Sequence, residues 1–344
     1  MANVLQKTDG AERNHCIDLL RGLCLFCIIF NHTCFNSGDT YVPRTLSQFS
    51  MLIDVPALFF VSGMTNCYIG RNIVAGSLIK LSLSFTLVSI LFNFADRSLT
   101  WEKLLMPLFL QDLVLPKAFN CLQVSYWFVP LYAVVIILAT AIIQKLKALY
   151  LFIAVACLSV YFLLFFGLIN LSHIYILGTM GQQVWFYLAL FLFGYWFKEK
   201  VCVSKYRNLW AWGCVLSAMS VYVMTYMIEG NFIFDTLMNK FPPRLPFVAL
   251  SFISVGLFMW LYQPERKNKF LEHIGKNALF YYVGQGVGAS LLYYVVDYVH
   301  LTVYLKLPLM FMLNLLITAV SAEVFKFMYE EIGNGYRWCV KRWL

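Results

Sequence analysis

The sequence predicts an all-α protein: a polytopic membrane helical bundle of about ten transmembrane helices, with both termini cytoplasmic. Three observations carry that prediction. The 344 residues are 61% hydrophobic and only 12% charged, with a mean hydropathy of +0.72, which is too apolar for a water-soluble globule. The apolar residues gather into stretches of about 18 to 25, the length a helix needs to cross roughly 30 Å of hydrocarbon, with short polar connections between them. The cations are unevenly shared: with an even number of spans, 18 of the 26 Lys and Arg residues fall on the side of the termini and 7 on the other. An excess of positive charge marks the cytoplasmic side.

In chain order, helices are expected near 17–35, 50–69, 76–95, 126–144, 149–169, 183–198, 208–228, 246–263, 276–299 and 305–328. The first follows a mixed-charge segment (Lys7, Asp9, Glu12, Arg13) without a small-residue cleavage site, so it reads as a retained helix and not a signal peptide. This gives a cytoplasmic N-terminal segment at 1–16, a transmembrane domain at 17–330 and a cytoplasmic tail at 331–344. The longest connections, Asp96 to Ser125 and Glu229 to Leu245, both fall on the outer side and are rich in aromatics and prolines. Leu99 to Asp112 is apolar but too short to span, which suits a segment lying in or dipping into the outer interface. Such a segment either roofs a cavity or anchors at the interface.

The net charge of +9 fits this topology and needs no nucleic-acid partner, since no basic run is interleaved with aromatics. The ten cysteines are scattered, most of them inside expected helices, and form no disulfide framework. Cys24 and Cys27 have the spacing of a metal pair but lack further ligands nearby, so they read as small buried hydrophobes and no metal site is expected.

The stretch from Ile17 to His32, IDLLRGLCLFCIIFNH, is where ionisable residues enter an apolar run. Arg21 lies one turn inside the first helix, where an arginine costs a few kcal/mol unless it reaches the interface or a partner. Asp18 precedes it by three residues and shares its face, so the two can pair. His32 follows Arg21 by eleven residues, a rotation of about 1100°, or about 20° past three full turns, and a rise of about 16 Å. One helix face therefore bears a cation near one membrane surface and an imidazole well towards the other. A basic residue at the inner mouth suits an anionic ligand, and a desolvated imidazole suits proton abstraction or nucleophilic attack. A histidine near a helix end is also a common structural residue.

With these residues and several others in order, the chain resembles acyltransferase family 3, whose first helix carries an arginine, ten residues and a histidine. DVPALFFVSGM (Asp54 to Met64) resembles the family's second helix, in which aromatics run into Ser-Gly, here Phe59, Phe60, Ser62 and Gly63. SYWFVPLY (Ser125 to Tyr132), FYLALFLFGYWF with Gly194, and IGKNALFYYVGQ resemble further elements of the family. Two features depart from it: the basic cluster after the second helix is thinned to Arg71 and Lys80, and a frequent late histidine is replaced by Gln285.

The resemblance implies a multi-pass enzyme of the bacterial inner (plasma) membrane. It would move an acyl group, usually acetyl, from cytoplasmic acyl-coenzyme A to a hydroxyl of a glycan or glycolipid acceptor at the outer face. No tightly bound cofactor is implied, acetyl-CoA being the donor substrate. Arg21, helped by Arg71 or Lys80, would hold the donor's phosphates. His32 would deprotonate the acceptor or carry the acyl group, with Asp18 beside Arg21. Asn31 and Gln285 are candidate polar helpers. Asp54 either orients His32 or caps its own helix, Ser62 permits close approach or simply packs, and Trp127 lines the cavity or the core. With no esterase-like domain in this sequence, transfer is expected to finish in the membrane domain or pass to partner proteins of glycan synthesis. The competing class is a transporter or flippase, whose marks would be inverted repeats and broken helices.

Overall fold

The computed structural model describes residues 14–36, 41–66, 71–146, 149–169, 175–176, 179–230 and 240–343. Its elements are α1 (His15–Asn36), α2 (Arg44–Ser50), α3 (Val55–Asn66), α4 (Arg71–Ala95), α5 (Trp101–Leu108), α6 (Asn120–Ser125) and α7 (Phe128–Lys145). They continue as α8 (Tyr150–Phe165), α9 (Gly181–Trp196), α10 (Arg207–Glu229), α11 (Leu245–Leu261), α12 (Lys269–Lys276), α13 (Ala278–Val295) and α14 (Val303–Trp343). Among the described residues, the one departure from helices, turns and loops is a two-residue antiparallel ribbon, Tyr175–Ile176 with Thr179–Met180.

Local chemistry sets several boundaries. Thr100 opens α5, its hydroxyl accepting from the Lys103 N–H, and Asn268 opens α12 by accepting from Leu271. Pro246 suits the first turn of α11. Gly230 closes α10 with φ of 67°, a left-handed turn that a side chain disfavours.

Seven stretches among the described residues are long and apolar enough to cross a membrane: His15–Asn36, Arg44–Thr65, Val74–Ala95, Lys117–Lys145, Arg207–Ile228, Ala278–Tyr298 and Val303–Ile332. The expected helices at 149–169 and 246–263 are present as shorter helices of 16 and 17 residues, and the one at 183–198 as a 16-residue helix that runs on through a π turn to Val201. The chain is thus an all-helical, multi-pass protein. The last expected helix, 305–328, runs further: α14 does not stop near residue 328 but continues to Trp343. Two of the seven stretches are broken. Arg44–Thr65 is interrupted between α2 and α3 at residues 51–54, and Lys117–Lys145 between α6 and α7 at 126–127. Asp54 and Trp127 sit at these breaks. Irregular backbone within a membrane is tolerated where protein covers it.

The core lies around α1, which packs on α3, α12, α13 and α14. α10 and α14 are peripheral and turn apolar side chains such as Trp212, Met219, Leu316 and Val320 outward. Two crossings bring backbones into direct contact. At α3–α9, a Cβ on Gly63 would stand 1.9 Å from the Phe191 carbonyl oxygen, and one on Gly194 would stand 1.9 Å from that of Phe60. At α1–α12, Gly22 meets the Leu271 carbonyl and Gly275 that of Asp18, again at 1.9 Å. Each pair is reciprocal, so helix associates with helix through backbone atoms that no side chain separates.

The apolar segment after α4 dips into the bundle. α5 runs back along α4: Ser89 donates to the Lys103 carbonyl (2.6 Å) and Ser82 to the Leu108 carbonyl (2.5 Å). Lys103 Nζ donates to Asn93 Oδ1, and the Asn93 amide donates to the Val114 carbonyl on the returning strand of chain. Ser82 is 13 residues short of the end of α4, about 20 Å along its axis. The segment therefore descends towards the middle of the span, with Leu110 in a left-handed conformation (φ 57°) at its foot.

Candidate functional site

The site is a column along α1. At its Arg21 end, the Gly22–Gly275 crossing presses the first turns of α1 onto α12 and so fixes the depth of Arg21. The guanidinium donates through Nη2 to Thr65 Oγ1 at 2.6 Å and faces Asp18 Oδ1 at 3.8 Å. Tyr132 of α7 lies near both Arg21 and Ser62 of α3. A guanidinium has five N–H donors, so these contacts leave donors for an anion.

The middle of the column is aromatic. Phe59 touches Tyr187, Phe128 and Tyr132, with ring centroids 4.6, 5.4 and 5.9 Å away. Two buried polar groups, one in this wall and one on α13, which touches the wall through Tyr282, lack partners. The Tyr187 hydroxyl has no hydrogen-bond partner, and neither end of the Gln285 amide has one, although Gln285 is wholly buried. On α13, Gly286 faces Leu122 of α6 and Gly288 faces Asn314 of α14. The helical period puts Gln285 between those two faces. Orphaned buried polar atoms are uncommon in folded proteins and mark places where a ligand or water completes the bonding.

At the other end is His32. Asn36, one turn on, approaches its Nδ1 at 2.9 Å. An amide turned by 180° fills the same space with oxygen and nitrogen exchanged, so Asn36 can serve Nδ1 in either tautomer and leave Nε2 to the site. Asp54 opens α3 by accepting from Ala57 and Leu58 with its backbone carbonyl. Its carboxylate instead receives Lys240 Nζ, at 2.5 Å, and both side chains are buried. Lys240 also lies over the rings of Trp127 and Phe241. Trp127 in turn contacts Tyr187. The charges of Lys240 and Asp54 both act on the His32 imidazole, and that of Asp54 also reaches Tyr187 and Tyr282.

The column thus brings together Asp18, Arg21, His32, Asp54, Ser62 and Trp127. Asn31 is buried in α1, but one residue before His32 and so about 100° round from it. Lys80 joins a different cluster, over the rings of Phe280 (4.6 Å) and Tyr329 (5.5 Å). Arg71 begins α4, but its side chain lies outside the described residues. Among the described residues no group of three or more His, Cys, Asp and Glu is placed to hold a metal ion.

Sequence reasoning passed over Lys240, Thr65, Tyr132, Tyr187 and Asn36. Only Asn36, four residues after His32, carried a local signal. Outside the column, the partly exposed His15 and His273 are engaged by Glu272 (2.6 Å) and Glu323 (3.0 Å). Glu323 also faces Lys326, as the spacing of three suggests. The His15 hydrogen bond holds the Glu272 carboxyl below the usual range. A separate cavity of about 250 Å³ opens on the flank of α1 away from Arg21, between Leu19, Leu23 and Leu271, with Arg266 and Lys267 at its edge.

A multi-pass helical bundle that encloses an arginine, an imidazole and a buried ion pair along one helix defines a membrane protein with an internal polar site. The chain belongs to acyltransferase family 3: the family's model, described as an acyltransferase domain, matches residues 14–324, essentially the whole chain. It is a membrane acyltransferase. No curated protein and no solved structure matches the chain significantly.

Proposed function

We propose that the protein transfers an acyl group, acetyl in the simplest case, from acyl-coenzyme A to a hydroxyl of a glycan or glycolipid acceptor. The donor enters from the cytoplasm at the Arg21 end, and the acceptor lies at the His32 end, facing the outside of a bacterial inner membrane. In this reading residues 17–330 are the acyltransferase domain, flanked by cytoplasmic segments at 1–16 and 331–344. The observation that carries it is the column itself: a cation with donors to offer and an imidazole, about 16 Å apart on one helix face, with packed aromatic rings and the orphaned Tyr187 hydroxyl alongside.

Arg21, oriented by Asp18 and Thr65, holds the phosphates of coenzyme A by charge-assisted hydrogen bonds. Arg71, at the start of α4, adds positive charge at that mouth, while Lys80 is engaged by the rings of Phe280 and Tyr329. The thin pantetheine arm follows the aromatic column, where Ser62 and the Tyr187 hydroxyl offer polar contacts, and delivers the thioester beneath Trp127, with Asn31 and Gln285 as polar neighbours outside the column. His32, its Nδ1 occupied by Asn36, takes the proton of the acceptor hydroxyl at Nε2 as that oxygen attacks the carbonyl carbon.

The test is release of coenzyme A thiol from acetyl-coenzyme A by the purified protein in detergent. Wild-type release that His32→Ala abolishes, with donor binding intact, is the expected result. Wild-type protein that neither binds nor turns over any acyl-coenzyme A would defeat the proposal. The broken spans at Asp54 and Trp127 also favour a second reading, a transporter of a glycan or lipid-linked precursor, which predicts flux of that solute without any thiol release.

A further inference from the structure

Lys240 comes from the connection between α10 and α11, yet its ammonium is only 9% exposed and its partner Asp54 2%. The two are 186 residues apart in the chain and 2.5 Å apart in space. Trp127 and Phe241 close two more sides of the ammonium, at 5.2 and 5.6 Å from their ring centroids. An ammonium has three N–H donors, and one goes to the carboxylate. Burying such a pair contributes little to stability, because loss of hydration offsets most of the attraction. The pair is better explained by where its charges lie, and both act on His32.

We propose that Lys240 is a catalytic electrophile, its ammonium donating to the carbonyl oxygen of the acyl group while Asp54 positions it and faces the imidazole. The inference rests on the acyl-transfer reading above. As the acceptor oxygen bonds to the carbonyl carbon, its proton passes to His32 Nε2 and the carbonyl π pair moves onto oxygen. A negative charge appears on that oxygen and a positive one on the imidazole. Lys240 meets the first and Asp54 the second. The ion pair is thus a fixed dipole set against the charge separation of the reaction, and it needs no reorganisation when the charges form. Collapse restores the C=O bond and breaks the C–S bond. The departing thiolate takes the proton back from His32, leaving an ester, free coenzyme A and the enzyme unchanged.

Removing one partner alone strands a buried charge and endangers the fold, so the decisive variant neutralises both: Asp54→Asn with Lys240→Met. Thiol release, donor binding and thermal melting are measured together, beside wild type, His32→Ala and Lys240→Arg. With melting and donor Kd within twofold of wild type, kcat of the double variant is expected to fall 100- to 1,000-fold, as when an oxyanion donor is removed. Lys240→Arg is expected to recover part of kcat at unchanged KM. A folded double variant that keeps kcat within threefold of wild type would overturn the role of Lys240 and leave the acyl-transfer reading standing. His32-independent wild-type release, or none at all, would overturn that reading and this inference with it.

Discussion

Gly63 of α3 and Gly194 of α9 lock the two helices together, each occupying the spot where a Cβ would strike the partner's carbonyl oxygen at 1.9 Å. The obstacle on both sides is backbone, which cannot swing aside as a flexible side chain does. Either glycine changed to alanine is expected to destabilise the fold by about 3 kcal/mol, the upper part of the range for overpacking. Gly213 of α10 has nothing within 4 Å, so Gly213→Ala should leave the melting temperature in detergent unchanged or slightly raised. Equal melting of Gly63→Ala and Gly213→Ala would show that the crossing is looser than described.

His32 and Asn36 form the next test. His32→Ala removes the proposed proton acceptor and should lower turnover by about 100- to 10,000-fold, the range for a general base. Asn36→Ala leaves the imidazole in place but unheld, and should cost about tenfold in kcat with donor binding unaffected, since orienting a base contributes less than supplying it. A change in donor Kd with Asn36→Ala, measured by titration calorimetry, would assign it to binding instead.

At the other end of the column, Arg21→Ala should weaken coenzyme A binding by about ten- to a hundredfold, the worth of hydrogen bonds to a charged group. Arg21→Lys keeps the charge but loses the planar fork and should recover only part of the affinity. Binding that is indifferent to Arg21 would place the phosphates elsewhere.

Glu272 gives a pH prediction outside the spans. Its carboxyl is covered from solvent yet lies close to the surface, held by His15, the Asn268 N–H and Lys276. The His15 hydrogen bond chiefly holds its pKa below the ordinary 4.5. A depressed carboxylate contributes stability above its unfolded pKa and loses it as pH falls through the folded one. Melting of wild type should therefore drop from about pH 5 downward, and more steeply than that of Glu272→Gln. Parallel melting curves for the two proteins over that interval would remove Glu272 from the acid response.

Much of this was legible in the sequence because membrane helices follow length and hydropathy, and because α1 carries its chemistry in a single helical period. Asp18, Arg21 and His32 share a face by arithmetic alone, and the glycines of SG, FGYWF and IGKN fall where helices touch. Lys240 was not legible. It reads as one more cation in an outer connection, and only the folding of residues 186 positions apart pairs it with Asp54. The aromatic and proline-rich character of that connection marked it as more than a linker without saying which residue mattered. The expected helices begin at 50 and 126, beside the breaks at 51–54 and 126–127; what stayed hidden were α2 and α6 just before them, too short to register as spans. Lys80 shows the converse: its charge was visible, but the rings of Phe280 and Tyr329 that claim it were not.

The α5 hairpin also bears on the order in which the chain is assembled. The carbonyls of Lys103 and Leu108 have their donors in Ser89 and Ser82 of α4, not in their own helix. Hydrocarbon offers such carbonyls nothing, so the hairpin cannot lodge at its depth ahead of α4. Because α4 precedes it in the chain, the donors are already in the bilayer when the hairpin emerges, and synthesis from the N-terminus delivers the two parts in the sequence that insertion requires.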